Sequence, residues 1–446
     1  MYNMRSFYME TFGCQMNEKD SDIMDQLMRE NNYLPTEDIE AADTIIINTC
    51  SIRAKAEQKV YSLLGSLRRR KKENSSFLIV VTGCVAQQEG WKMISRMPHV
   101  DLVLGPQSIY SLPGLLRRAE NSGRSIVETD LAPVFDIPPI LPDLRNGTGH
   151  KRFVTIMQGC NNFCSYCIVP YTRGRESSRR LDDVLSEVRH LVKHGVKEVT
   201  LLGQNVNSYG NDQSAIRRTS FPDLLKQVVE VEGLERVRFT TSHPKDLSPA
   251  LMDCFAELDK LCPHFHLPVQ SGSNAVLKRM NRRYNIETYL GKVEGLREVR
   301  PDIALSTDLI VGFPGETEAD FQATMDLLEI VRYHSAFSFK YSSRPPALSC
   351  RYEDDVEEKE KSRRLNILQE RQKEITLERN EEYVGRTTEV MVEGPSRSSD
   401  GVSGRTGSNH IVNFSCSQEV DPGDIIPVKI TRACFNTLQG ESVPLD

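Results

Sequence analysis

Short apolar runs rich in β-branched residues alternate, over the first quarter of the chain, with stretches that keep the three- and four-residue spacing of a buried helix face. Phe7 to Phe12, Thr44 to Asn48 and Phe77 to Val81 read as strands. Ile23, Met24, Leu27 and Met28, then Val60, Leu63, Leu64 and Leu67, read as helix faces. Strands alternating with helices predict a parallel sheet. The pattern lapses between about Asn121 and His150, where Pro133, Pro138, Pro139, Pro142 and Gly149 predict a linker, because proline removes donors without building a core. A second alternation starts at Lys151, with candidate strands at Phe153 to Met157, Glu198 to Leu202, Arg236 to Thr240, His264 to Leu267, Ile303 to Ile310 and Ala336 to Tyr341. Six such units suit a partial (β/α)6 barrel of parallel strands whose functional loops collect at the strand C-terminal ends. Glu357 to Asn380 reads as one long charged helix. The short β-runs after it, Thr388 to Val392, Ile411 to Phe414 and Ile425 to Ile430, are separated by Gly and Ser and predict a small β-barrel. The expected division is therefore an α/β multidomain chain: a parallel α/β domain over 1–120, a linker over 121–150, a partial barrel over 151–378 and a β-barrel over 379–446.

Composition narrows the functional classes. With 446 residues, 39% hydrophobic and 26% charged, the chain can bury several cores, so wholesale disorder is excluded. Its longest apolar run, Phe77 to Val81, is far too short to cross a bilayer, and Met1 to Ser6 lacks the apolar core of a signal peptide. A cytoplasmic location and no membrane partner are expected. The net charge of -6 gives no global attraction for nucleic acid, so any such binding must use local patches. Three stand out: Arg68 to Lys72, the group Arg173, Arg175, Arg179 and Arg180, and Lys278 to Arg283. Taken singly, each reads more naturally as a solvated face. Together they suggest an anionic partner.

Eleven cysteines, an odd number without an export signal, point to reduced thiols rather than a disulfide scaffold. Cys160, Cys164 and Cys167 follow the first strand of the central unit at the end where active-site loops belong. Three closely spaced thiolates can hold three irons of a 4Fe-4S cube and leave the fourth open, whereas structural zinc wants four ligands and no partner pair is visible. Cys14, Cys50 and Cys84 are too far apart to form a motif by spacing. Each directly follows a predicted strand, however, and in a parallel sheet those ends share one edge, which makes a second three-thiolate cluster the favoured reading. Cys254, Cys262, Cys350, Cys416 and Cys434 read as ordinary thiols. His190 and His194 suit a solvent-facing helix end. His264 and His266 share one face of a strand, as either a hydrogen-bonded pair or part of a cofactor site.

The Cys-x3-Cys-x2-Cys loop, with Tyr166 before its last cysteine, resembles the radical S-adenosylmethionine (SAM) superfamily. Thr11 to Asn17, Pro170 to Glu176, Leu201 to Gly210, Thr241 to Pro244, His266 to Ser273 and Asp308 to Thr317 resemble the methylthiotransferase family within it, nearly end to end. The resemblance implies an N-terminal methylthiotransferase domain with an auxiliary 4Fe-4S cluster on Cys14, Cys50 and Cys84. It implies a radical SAM core whose Cys160, Cys164 and Cys167 hold the cluster that chelates and cleaves SAM to a 5'-deoxyadenosyl radical, and a C-terminal RNA-binding TRAM module.

Gly203, Gln204 and Asn205 occupy the place of the superfamily's Gly-Gly-Glu segment, and Gln270, Ser271 and Gly312 fall on loops that approach the cofactor in the family. The implied reaction puts a methylthio group on C2 of N6-isopentenyladenosine at position 37 of tRNA. It uses two SAM per turnover, one as methyl donor and one as radical source. An anticodon stem-loop, an electron donor such as flavodoxin or ferredoxin, and a monomeric state are the expected partners and assembly. Arg279, Arg282, Arg283, Arg405, Asn409 and Asn413 are the candidate tRNA contacts. Branches acting on threonylcarbamoyladenosine or on a ribosomal-protein aspartate stay open, as does a non-catalytic iron-sulfur RNA-binding protein, although Phe12 to Asn17 favours the isopentenyl branch. One departure stands out: Arg344-Pro-Pro-Ala-Leu-Ser349 replaces the family's usual Arg-Pro-Gly-Thr-Pro-Ala.

Overall fold

The computed structural model describes residues 4–51, 54–144, 149–213, 218–396 and 401–444. The N-terminal part is a six-stranded parallel sheet of β1 (Arg5–Phe12), β2 (Tyr33–Pro35), β3 (Thr44–Thr49), β4 (Leu78–Gly83), β5 (Leu102–Leu104) and β6 (Ile126–Glu128), in the order β2-β1-β3-β4-β5-β6. Both faces are covered, so β3 and β4 are buried at every position and read as continuous apolar runs. Met24 and Met28 of helix α1 (Gln15–Glu30) pack on one face, and Val60, Leu64 and Leu67 of α2 (Ala54–Glu73) on the other. Helices α3 (Cys84–Glu89), α4 (Trp91–Arg96) and α5 (Leu112–Ser122) complete the layers. The expected linker is corrected at one point: Ile126–Glu128 pairs with β5 as the sixth strand. With three residues in each of β2, β5 and β6, there is too little chain for a period to show.

The central part contains β7 (Lys151–Thr155), β8 (Met157–Gln158), β9 (Ser177–Ser178), β10 (Glu198–Leu202), β11 (Arg236–Phe239), β12 (His264–His266), β13 (Ala304–Val311) and β14 (Ser335–Lys340). Six of these run parallel in two triplets, β7-β10-β11 and β12-β13-β14, and a single bridge from Val237 to Leu261 joins the triplets into an arc. Register separates the two faces. Val199, Leu201, Val237, Phe239, Leu305 and Leu309 enter the apolar layer beneath the helices. The alternate positions, among them Glu198, Arg236, Arg238, Ser306, Asp308 and Phe337, line the inside of the arc. The strand β14 ends the arc and leaves that side open.

A helix over Glu358–Glu381 leads to a closed barrel of β15 (Thr387–Pro395), β16 (Val402–Thr406), β17 (Ile411–Ser415), β18 (Ile425–Ala433) and β19 (Leu438–Ser442). Strands β16 and β19 lack apolar alternation because each carries a glycine where another backbone passes. A Cβ on Gly404 would lie 2.4 Å from the Met391 carbonyl oxygen, and one on Gly440 2.6 Å from that of Lys429.

Buried charges join the three parts. Lys19 Nζ on α1 sits 2.7 Å from Glu187, which also receives Arg179 Nη1 at 2.6 Å, and Arg173 Nη2 meets Asp20 at 2.7 Å. All five side chains are buried. At the opposite end of the arc, Arg236 donates to the carbonyls of Arg405 and Glu389, and Arg238 to those of Thr406 and Gly407, so the C-terminal barrel seats against the starts of the parallel strands. Among the described residues no helix is long and apolar enough to cross a membrane.

Replacing Glu187 by Ala would leave Lys19 and Arg179 buried without a counter-charge, and we expect a loss of roughly 3–5 kcal/mol from that junction, measured as earlier unfolding of the N-terminal sheet. Burial pushes the Glu187 carboxyl up, but Lys19 and Arg179 outweigh burial and hold it below the usual carboxylate range. Its contribution is therefore complete above that range and is lost as pH falls through the lowered value. Hydrogen exchange of α1 should accelerate on acidification in the native protein and not in E187Q.

Candidate functional site

Phe12, Thr49 and Gly83 are in register across β1, β3 and β4, so Cys14, Cys50 and Cys84 emerge side by side within one or two residues of the same sheet edge. Asparagines and glycines hold this edge tight. Asn17 is wholly buried, donating to Asn48 Oδ1 at 2.8 Å and to the Thr49 carbonyl at 3.1 Å, while its own Oδ1 accepts from the Cys14 thiol at 3.3 Å. Asn48 in turn donates to the Asn17 carbonyl at 2.8 Å. A Cβ on Gly13 would fall 2.5 Å from Asn17 Cβ, and Gly83, at φ +93°, comes so near that a Cβ would lie 2.3 Å from the Thr49 carbonyl oxygen. This packing explains the spacing within Gly-Cys-Gln-Met-Asn. A hydrogen bond from Cys50, with help from the Arg173 charge and the first amides of α1, draws the Cys14 thiol down to about 6 against the opposing effect of burial.

The second trio sits across the domain junction. Cys160 is buried and its amide donates to the Gly174 carbonyl at 3.2 Å; Cys164 is also buried, with Arg282 Nη1 at 3.4 Å and His243 Nε2 at 3.8 Å from its sulfur. Burial, reinforced by the neighbouring thiols, pushes Cys160 and Cys167 up to about 12. Thiols raised in this way ionise only beside a cationic centre. Among the described residues no three His, Cys, Asp or Glu side chains meet as a single metal ion would need. An iron-sulfur cube, which takes one thiolate per iron, suits each trio better than a lone ion. Around the second trio, Gln158 Nε2, Asn162 Nδ2 and Asn205 Oδ1 are buried without a hydrogen-bond partner, an unmet polar demand that a polar ligand would satisfy.

Residues 6–105 match the model of Uncharacterized protein family UPF0004, residues 154–328 the Radical SAM superfamily, and residues 381–443 the TRAM domain. A tRNA-2-methylthio-N(6)-dimethylallyladenosine synthase from Desulfotalea psychrophila is 53% identical, covering 98% of this chain and 99% of its own. Another from Geobacter sulfurreducens is 52% identical over 99% and 98%. This chain belongs to that synthase family. Among solved structures, the radical S-adenosylmethionine methyltransferase TsrM from Kitasatospora setae superposes with a TM-score of 0.56 at 14% identity, covering 89% of this chain and 79% of its own. The radical enzyme OxsB gives 0.54 at 13%, covering 78% and 55%. At such identities these two show the fold alone.

The other sequence-derived residues divide. Gln204 Oε1 accepts from the Gly159 amide at 2.6 Å, and Asn205 Nδ2 donates to Asp246 at 2.8 Å, so both border the cysteine loop. A Cβ on Gly203 would lie 2.5 Å from Met157 Cγ, so a larger residue there displaces the Met157 side chain. Gln270, at φ +78°, bonds through its backbone to β13. The Ser271 hydroxyl accepts from the Ser273 amide at 3.2 Å, and Gly312 closes on the Glu316 carboxylate and the Lys361 stem. Their side of the loop cluster is committed to packing. Tyr166 accepts from Arg282 at 3.3 Å.

Two patches need correction. Arg173 and Arg179 are spent in the buried ion pairs described above, leaving Arg175 and Arg180 exposed. Arg282 is 3% exposed and directs its donors to Tyr284, Cys164, Tyr166 and the Pro268 carbonyl, so it belongs to the cysteine pocket and not to the surface it shares in sequence with exposed Arg279 and Arg283. Residue-type clustering cannot show this, because Arg282 is aimed inward by the left-handed turn at Asn281 and Arg283.

In the C-terminal barrel, Arg405 and Asn409 line a cleft of about 640 Å³ with Phe337, Phe339, Lys373 and His410. Asn413 instead accepts from Ser396 at 3.0 Å. His264 and His266 are joined through Ser306, at 3.2 and 2.9 Å. The divergent loop after β14 reaches both trios. Arg344 donates to the carbonyl of Ser51, beside Cys50, and the Ser349 amide donates to that of Ser165, between Cys164 and Cys167, at 2.7 Å.

Replacing Asn17 by Ala strands the buried Asn48 Oδ1 and frees Cys14, and a loss of about 1–3 kcal/mol in thermal unfolding is expected, with Asn17→Asp no better because it exchanges a donor for a charge.

Proposed function

We infer that this chain is a radical SAM methylthiotransferase acting on C2 of N6-isopentenyladenosine at position 37 of tRNA. The observation that carries the reading is the meeting of two thiol trios at one junction, within a chain whose full-length relatives are named for this product. Those relatives favour the isopentenyl branch over the threonylcarbamoyl and aspartate branches, and a non-catalytic protein would have no use for two open sites. An aromatic C2–H has neither an acidic proton nor a leaving group, which is why radical chemistry is required.

In this reading Cys160, Cys164 and Cys167 hold one 4Fe-4S cluster and Cys14, Cys50 and Cys84 the other; when bound, the first supplies the electron that cleaves SAM and the second carries the sulfur. Asn205 Oδ1, Gln158 Nε2 and Asn162 Nδ2, each buried without a partner, would hold the polar amino acid end of the cofactor, the oxygen accepting and the two amides donating. Arg282 keeps its positive charge beside Cys164 and orients Tyr166. The interdomain ion pairs Lys19–Glu187 and Arg173–Asp20 hold the two domains together beside the trios. An aromatic and cationic cleft at Phe337, Phe339, Lys373, Arg405 and Asn409 suits single-stranded RNA, with stacking at roughly 1–3 kcal/mol per base, and exposed Arg279 and Arg283 add phosphate contacts. A monomer in the cytoplasm, reduced by flavodoxin or ferredoxin and bound to the anticodon stem-loop, completes the proposal.

Mass spectrometry of tRNA nucleosides from cells lacking and regaining the gene tests the product: the 2-methylthio derivative should vanish and return, and its persistence would refute the assignment. Anaerobic reconstitution should give about eight irons, and Ala at Cys160, Cys164 and Cys167 about four with no 5'-deoxyadenosine. Ala at Cys14, Cys50 and Cys84 should also give about four but retain 5'-deoxyadenosine formation. In tRNA binding across salt, Arg279→Ala with Arg283→Ala should reduce the slope by roughly 0.7 per lost contact, whereas Arg282→Met should leave it unchanged.

A further inference from the structure

Arg173 is one of the most deeply buried cations in the chain, at 3% exposure, and half of its guanidinium is unexplained. Nη2 pairs with Asp20 at 2.7 Å, whereas Nη1 is buried with no hydrogen-bond partner. Asp20 lies on α1, which starts directly after Cys14, and α3, which starts at Cys84, packs against the helix that Arg173 closes, so the orphaned nitrogen belongs to the neighbourhood of the N-terminal trio although Arg173 comes from the central domain. Its backbone is tied to the other trio: Arg173 closes helix α6 (Val169–Thr172), which starts two residues after Cys167, and the next carbonyl, of Gly174, receives the Cys160 amide at 3.2 Å. Gln107 Nε2 adds a clamp at 3.3 Å on the Arg173 carbonyl from the N-terminal domain. A buried N–H without an acceptor costs about 1–3 kcal/mol, and at a position so rigidly held that cost is removed only if something accepts there.

We propose that Arg173 Nη1 is the donor that holds an anionic sulfur ligand beside the Cys14, Cys50 and Cys84 trio. Arg173 is thus a positioning residue by which the radical domain helps to retain the sulfur that the N-terminal domain presents. Asp20 fixes the guanidinium through Nη2 and leaves Nη1 directed at the ligand. A thiolate or hydrosulfide supplies the soft monoanion that such a donor and an open iron would share, and a neutral thioether or an alcohol does not. This inference rests on the reading of the N-terminal trio as a cluster site, and iron content tests that reading separately.

The test uses full-length protein with Cys160, Cys164 and Cys167 changed to Ala, so that a single cluster reports, and methanethiolate as the probe, titrated against the cluster's electron paramagnetic resonance signal. Arg173→Met should weaken methanethiolate by about 10- to 100-fold, the worth of a charge-assisted hydrogen bond, at a retained content of about four irons. Arg173→Lys should recover part of that loss. Asp20→Asn, which breaks the ion pair but keeps Nη1, should lose less than threefold. Unchanged affinity in Arg173→Met, or an equal loss in Asp20→Asn, would overturn the proposal and leave Arg173 a docking residue. If Arg173→Met fails to keep its irons, Arg173→Lys decides: a loss of threefold or more supports the donor role, and none refutes it. Absence of iron from the parent protein would instead defeat the cluster reading itself.

Discussion

The chain's design turns on burying charge between two domains without leaving it unpaired. Lys19, Asp20, Arg173, Arg179 and Glu187 are all excluded from water: Lys19 and Asp20 lie on α1, directly after Cys14, Arg173 at the end of the helix that follows Cys167, and Arg179 and Glu187 farther along the central domain. A misaligned junction would strand several ions at a cost of several kcal/mol each, so the two sheet edges have one acceptable alignment. Apolar contact alone would tolerate sliding. The fixed alignment is what brings thiols from two different domains to one place.

Parallel topology supplies the other half. In each sheet every strand delivers its chain to the same edge, so residues distant in sequence become neighbours by register alone, as Phe12, Thr49 and Gly83 do. The asparagine pair Asn17 and Asn48 then satisfies the backbone that the turns expose, and Gly13 and Gly83 let it approach.

This accounts for what could be read from the residues and what could not. The six parallel strands of the arc were legible because each carries apolar residues between helical stretches, and the shared edge of Cys14, Cys50 and Cys84 because each follows its strand within two residues. The three-residue strands β2, β5 and β6 and the glycine-bearing β16 and β19 were not, since their pairing is set by neighbours and not by their own pattern. The basic patches misled for a related reason: sequence shows that Arg173, Arg179 and Arg282 are near other arginines, while only three-dimensional placement shows that their partners are Asp20, Glu187 and Cys164. The Arg344 loop, distinct from the family's usual wording, still touches both trios through backbone carbonyls that any sequence would provide.

The seat of the C-terminal barrel uses the same device on a larger scale. Arg236 and Arg238 grip four carbonyls, those of Glu389, Arg405, Thr406 and Gly407, and ask nothing of the side chains there. Apart from the ion pairs Lys151–Glu393 and Lys197–Asp424, a joint built on main chain is largely indifferent to what the barrel displays. Side chains facing the cleft at Phe337 and Phe339 can therefore be exchanged, one RNA surface for another, while the barrel stays in place, and the selectivity of the molecule can drift independently of its assembly.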